Sequence, residues 1–243
     1  MYDFITRVRY SELEEDRKAG LVSLINYFQD CCTFEAEDGG IGLDWLAERS
    51  AAWMLTSWHI HILRRPKYCE HIRVYTWACG FRRFLGKREF EIRNSETGEL
   101  LVHAASDWAY VDTETGHPKE TPAREVEVYG LKDPVYPELA KGRLRVPEAP
   151  MTEKPSITVT EANLDTNHHV NNAQYVALAM CALPENLHTG KITDFRARLM
   201  AQSVKGDVLI PYLLEEDGRY TVLLRGEDGS ERLIAEFSLE NAG

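Results

Sequence analysis

This chain has no apolar run of membrane-spanning length. Charges interrupt every hydrophobic stretch, whereas a transmembrane helix needs about 20 largely apolar residues. The opening Met1-Tyr2-Asp3-Phe4 lacks the basic region and apolar block of a secretory signal, and also the Ser/Arg-rich, acid-poor character of an import leader. Cysteine is sparse. Cys31, Cys32, Cys69, Cys79 and Cys181 are odd in number and include no Cys-x-x-Cys pair, which fits buried thiols in a reducing compartment rather than a disulfide framework. Cys31 and Cys32 are neighbours on an expected helix and read as small apolar residues. Positive charge is short as well: 28 Lys and Arg stand against 39 Asp and Glu, a net charge of −11, which argues against nucleic acid as a partner. No Gly-rich phosphate-binding loop is visible.

What is present is ordinary material for a folded protein, with 44% hydrophobic and 28% charged residues in 243. Proline is concentrated: seven of the ten lie between Pro118 and Pro155. That segment reads as a connector (113–155) between two halves, residues 1–112 and 156–243. The halves look alike. Leu21, Leu24, Ile25 and Phe28 predict a helix over 20–36, and Val170, Tyr175, Val176 and Leu178 predict another over 170–183. Strand patterns follow each helix, at 58–62, 71–77, 88–92 and 100–111 in the first half and at 195–200, 208–214, 220–225 and 233–239 in the second. These patterns by themselves support an α+β fold with internal duplication.

The sharpest feature is Asp165-Thr166-Asn167-His168-His169-Val170-Asn171-Asn172-Ala173-Gln174-Tyr175. A carboxylate, an amide and an imidazole fall at i, i+2 and i+4, just ahead of the second helix. In an extended segment alternate side chains share one side, so Asp165, Asn167 and His169 are candidates to converge. They would supply a proton-transfer group, an orienting amide and a second acid–base group, the parts that activate water against a carbonyl. His169 is the leading proton-transfer candidate, because imidazole titrates near neutrality. The free N–H groups at the following helix start suit an oxyanion. The competing reading is structural, since Asp and Asn are common in turns and at helix N-caps. A metal reading through Asp165, His168 and His169 is set aside, because no third His or Cys lies nearby.

Asp-x-Asn-x-His-Val-Asn-Asn-x-x-Tyr resembles the signature of the acyl-acyl carrier protein (acyl-ACP) thioesterases. Leu21–Phe28, the segment Trp58–Trp77 with Arg65-Pro66 inside it, Ser106-Asp107-Trp108 and Thr115-Gly116-His117-Pro118 resemble further stretches of that family. The resemblance implies a tandem hotdog fold, each half a long helix wrapped by an antiparallel sheet. It implies hydrolysis of fatty acyl-ACP without metal or cofactor, with the first half holding the acyl chain and the second carrying the catalytic motif. Trp45, Trp53, Met54 and Trp58 are candidates for the acyl pocket, against the plainer reading that they fill the core. Many relatives carry a Glu, and plant forms also a Cys, on the strand after the motif helix. With that strand on 195–205 the Glu position falls at Gln202; an earlier register gives Arg198 or Leu199. Gln can hold a water but cannot take its proton.

The implied partner is an acyl carrier protein, itself acidic. It would need a local basic surface, for which Arg64, Arg65 and Lys67, and Arg82, Arg83, Lys87 and Arg88, are the candidates. Plant relatives carry an import leader, so the opening favours a bacterial-type cytoplasmic form or a mature chain; homodimer formation is left open. Acyl-CoA hydrolysis and a non-catalytic acyl-carrier-binding role are the alternative functions.

Overall fold

The computed structural model describes residues 1–140, 142–184, 187 and 192–239. Its elements run β1 (Tyr2–Arg7), α1 (Leu21–Asp38), α2 (Leu43–Ala47), β2 (Ala51–Ile62), β3 (His71–Arg82), β4 (Leu85–Asn94), β5 (Leu100–Asp112) and α3 (Ala123–Tyr129). Then follow β6 (Thr152–Glu153), β7 (Ile157–Thr158), α4 (Asn172–Met180), β8 (Ile192–Leu199), β9 (Val208–Glu216), β10 (Arg219–Gly226) and β11 (Glu231–Leu239). The expected repetition of a helix followed by antiparallel strands is therefore present.

The two halves are not separate sheets. Their strands form one sheet in the order β1-β3-β4-β5-β2-β8-β11-β10-β9-β6, with β7 also on β9. The seam is β2 against β8, paired antiparallel from Ser57↔Arg198 to His61↔Asp194. Beyond Ser57 the register ends, so residues 51–56 of β2 pair only with β5. The β2–β5 register shifts by one residue between Leu55 and Ser57, as at a β-bulge.

Both long helices pack on one face of this sheet. α1 buries Leu21, Leu24, Ile25, Phe28 and Cys31 at helical spacing, and α4 buries Ala173, Tyr175, Val176 and Ala179. Their faces join the alternating inward residues of the strands, such as Trp58, Ile60, Phe90, Phe195 and Phe237, in one core. α4 is shorter than the 170–183 expected, because Asn171 caps it and its last turns break up after Met180. The Pro-rich connector contains α3 and packs back on the protein. Glu125 of α3 is buried and accepts from Trp45 Nε1 at 3.2 Å and Trp53 Nε1 at 2.7 Å.

Candidate active site

The 165–169 segment is a tight loop closed on itself. Leu164 bridges Val170, Asp165 N–H donates to the His169 carbonyl at 2.8 Å, and His168 adopts φ 60° at the turn. Asp165 Oδ1 accepts from the backbone N–H of Asn167 at 2.8 Å and of His169 at 3.2 Å. The carboxylate thus holds the loop, as an Asx turn does. The His169 ring is half-buried and makes no hydrogen bond to another described residue. Asn171 then caps α4 by accepting from Ala173 N–H at 2.9 Å. The Val170 N–H is tied to the Ser203 carbonyl at 3.0 Å, which brings the segment after β8 alongside the loop.

Gln202 sits in that segment, beyond the end of β8 at Leu199, so the strand placed over 195–205 to set the Glu register ends earlier, close to the 195–200 that the alternating pattern gives. Its backbone carbonyl accepts from Arg232 at 2.6 Å, and its Nε2 approaches the Met54 sulfur at 3.8 Å. Its Oε1 is buried with no hydrogen-bond partner among the described residues.

The first half contains a loop of the same design, which sequence reading missed. Leu13 bridges Ala19, Glu14 N–H donates to the Lys18 carbonyl at 2.9 Å, and Arg17 adopts φ 60°. Ala19 N–H donates to the Pro66 carbonyl at 2.9 Å, as Val170 does to Ser203. Superposing these patterns sets Glu14, Asp16 and Lys18 at the places of Asp165, Asn167 and His169, and Arg65 at the place of Gln202. Arg65 is buried and ion-paired to both Glu14 and Asp16. The first loop is therefore closed by an ion-pair network, whereas the second faces an amide.

A cavity of about 220 Å³ runs from the second loop into the first half. Asn167 and Asn172 line it on one side, and Gln29, Cys32, Thr33 and Ala36 of α1 line its length. Asn172 Nδ2 donates to Gln29 Oε1 at 2.8 Å, joining the two helices at this mouth. Gln29 to Ala36 is two helical turns, about 10 Å along the axis. Trp53, Phe81, Trp108 and Tyr129 complete the apolar wall. Gly86 belongs to the floor because a Cβ there would meet Trp53 at 3.1 Å. Arg88 also borders the cavity, ion-paired to buried Glu35, with its Nε on Thr76 Oγ1 at 3.2 Å. Burial pushes the Cys32 thiol above its usual range, which disfavours the thiolate.

Several expected site residues fall elsewhere. Of the four apolar pocket candidates, Trp53 lines this cavity. Trp58 is a core residue, its ring 5.8 Å from Phe28 and 5.1 Å from Phe90. Trp45 packs under the Arg49 guanidinium, 3.2 Å from its ring centre, and Met54 faces Gln202. The basic clusters also need correction. Arg65 and Arg88 are buried in ion pairs, and Arg64 is bound by Glu70 at 2.8 Å and Glu99 at 2.6 Å. Lys87 is paired with Asp107 at 2.8 Å, while Lys67, Arg82 and Arg83 are exposed. The clusters flank opposite ends of β3, whose 12 residues span roughly 36 Å, so they do not form one patch. Among the described residues no three His, Cys, Asp or Glu side chains are grouped as a metal would require.

Comparison with known proteins bears on this geometry. The family model described as the acyl-ACP thioesterase N-terminal domain matches residues 2–129. The chloroplastic acyl-(acyl-carrier-protein) hydrolase FATB3 of Cuphea viscosissima is 26% identical over 255 residues, covering 97% of this chain and 62% of that protein. The chain thus spans less than two thirds of the length of that relative. Among solved structures, the 12:0-ACP thioesterase from Umbellularia californica matches with a TM-score of 0.87 at 21% identity, covering 98% of this chain and 96% of that one. An acyl-ACP thioesterase from Bacteroides thetaiotaomicron matches with a TM-score of 0.83 at 20% identity, covering 98% and 97%. At these identities the two structures speak for the shared fold.

Proposed function

This chain belongs to the acyl-ACP thioesterase family, and from that premise we propose that it hydrolyses fatty acyl-ACP to free fatty acid and carrier protein. One observation carries the reading: a single cavity is bordered both by Asn167 and Asn172 of the motif and by the apolar wall along α1. An acyl chain laid along α1 would bring its thioester to the 165–169 loop. The thioester carbonyl would then lie near the start of α4, where first-turn N–H groups and the helix dipole favour developing negative charge.

Water attacks the carbonyl and the thiolate leaves with a proton. His169 is the group for proton transfer, its ring free of a hydrogen bond to any other described residue. Asp165 fixes the loop through Oδ1 and leaves its second oxygen for the water or the imidazole. Asn167 borders the cavity as an orienting amide. Gln202 offers its unpaired Oε1 to the water. It cannot serve as a base, so that duty stays with His169 and Asp165.

The test is thiol release from acyl-ACP by the purified chain. His169→Ala is expected to lower turnover about a hundredfold to ten-thousandfold with the thermal midpoint little changed. Wild-type turnover in His169→Ala, or no release from any acyl-ACP by the wild type, overturns the reading. No helix among the described residues is long and apolar enough to cross a membrane.

A further inference from the structure

The sheet face turned away from α1 carries a second cavity, of about 550 Å³. Ser57, His59, Arg196 and Arg198 point to this face because they alternate along β2 and β8 with Trp58, Ile60, Phe195 and Ala197, which are buried toward the helices. Leu139, Gly142 and Leu144 of the connector roof it.

Its charge is opposite to that of the molecule. In a chain of net charge −11, the lining holds Lys87, Arg143, Arg196 and Arg198 against one carboxylate, Asp107, which Lys87 already binds at 2.8 Å. Arg196 donates to the Gly142 carbonyl at 2.5 Å and stands 4.0 Å from Glu236, while Arg198 reaches the Leu144 carbonyl at 3.5 Å. Those carbonyls aim the guanidinium groups but do not neutralise them. Burial and the neighbouring Arg143 push the Arg198 pKa down, and Glu231 offsets this only in part. Such a cluster is stabilised by an anion.

One end of the cavity lies a few residues along the chain from Gln202 and Ser203. It extends to Thr56, Leu199 and Met200, where β2 and β8 part after Ser57↔Arg198. Beyond that point the Gln202 and Met54 side chains meet across the two segments at 3.8 Å, and Ser203 is bonded to Val170 beside the loop. Gly86 borders both cavities.

We propose that the Arg143–Arg196–Arg198 cavity binds the phosphate head of a phosphopantetheine arm, and that the arm passes between β2 and the segment after β8 to reach the 165–169 loop. The proposal rests on the hydrolase reading for its purpose. The reach is suitable. The arm has roughly 13 bonds from phosphorus to sulfur, which at about 1.1 Å per bond, the advance of an extended backbone, gives about 14 Å. Arg198 to Gln202 is four residues, at most about 13 Å to 14 Å. Carrier protein and CoA both present this phosphate, so the site reads a chemistry that the two handles share.

The experiment combines binding with kinetics. By calorimetry, 4′-phosphopantetheine is expected to bind the wild type at least tenfold more tightly than pantetheine, with the difference lost in Arg143→Ala and Arg198→Met. The same variants are expected to raise KM for acyl-ACP and acyl-CoA at least tenfold relative to KM for the phosphate-free acyl-N-acetylcysteamine thioester. The ratio of wild-type kcat/KM on the two carriers tells which source the protein prefers. Arg143 is exposed, so its variant reports even where Arg198→Met fails to fold. Equal binding of pantetheine and phosphopantetheine overturns the proposal, as does a KM rise for acyl-ACP alone, which would mean that these residues read the carrier's surface. Hydrolysis with an unmoved KM ratio sinks the subsite and leaves the hydrolase. Phosphate-dependent binding without hydrolysis of any thioester supports the subsite and sinks the hydrolase.

Discussion

Asp165 holds its loop by hydrogen bonding, and the chemical duty proposed for it can be separated from that one. Its Oδ1 accepts from two backbone N–H groups, a task that an amide oxygen performs equally well. Asp165→Asn is therefore expected to keep the thermal midpoint close to wild type while turnover falls about a hundredfold or more, as the loss of an acid–base group requires. Asp165→Ala removes the acceptor too and should cost a further ~1–2 kcal/mol of stability, read by urea denaturation. If Asp165→Asn retains full turnover, the carboxylate serves the loop alone. Gln202 is the second informative residue. Gln202→Glu places a carboxyl where the buried Oε1 has no partner among the described residues, and should add an acidic limb to the pH–rate profile of kcat/KM. An unaltered profile would place Gln202 outside the reaction.

At the scale of elements, the two loops show how one backbone design serves two ends. Residues 13–19 and 164–170 share a bridge, a hydrogen-bond pattern and a left-handed residue, yet only the second retains Asp, Asn and His. The motif was legible in sequence because its residue types imply chemistry at their spacing. Its counterpart was not, because Glu14, Asp16 and Lys18 look like an ordinary acidic surface turn until Arg65 is seen buried between the two carboxylates. The same blindness affected the basic clusters: sequence shows that Arg88 is charged, not that α1 brings Glu35 to it. That pair makes a sharp prediction. Arg88→Met alone strands Glu35 and should cost about 3–5 kcal/mol, whereas Arg88→Met with Glu35→Leu should return to near wild-type stability in thermal or urea denaturation. Equal losses in both variants would show that packing rather than charge governs this site.

At the scale of the molecule, the halves are joined across β2 and β8, where His59 Nε2 lies 3.1 Å and His61 Nδ1 3.4 Å from the Asp194 carboxylate. Burial raises the Asp194 pKa, but the hydrogen bonds and charges of His59 and His61 outweigh it and hold the carboxyl below its ordinary range. A depressed folded-state pKa contributes stability that is full above the unfolded-state value of 3.8 and is lost as pH falls from there through the lower folded-state value. The thermal midpoint of the wild type should therefore drop more steeply below about pH 4 than that of Asp194→Asn. Parallel curves would mean that the seam does not depend on this carboxylate.

Hydrophobic period, turn residues and short-range spacing are local properties, so the α+β character, the duplication, the motif loop and the helix it precedes were legible along the chain. Tertiary structure decided the rest. Continuity of the sheet depends on β2 finding β8, two strands far apart in the chain. Which arginines are free depends on whether a carboxylate from another element reaches them. The cavity exists because Gly86, α1 and the connector leave space that no single segment encodes. Partner choice among distant segments is a property of packing, and spacing along one segment carries no record of it.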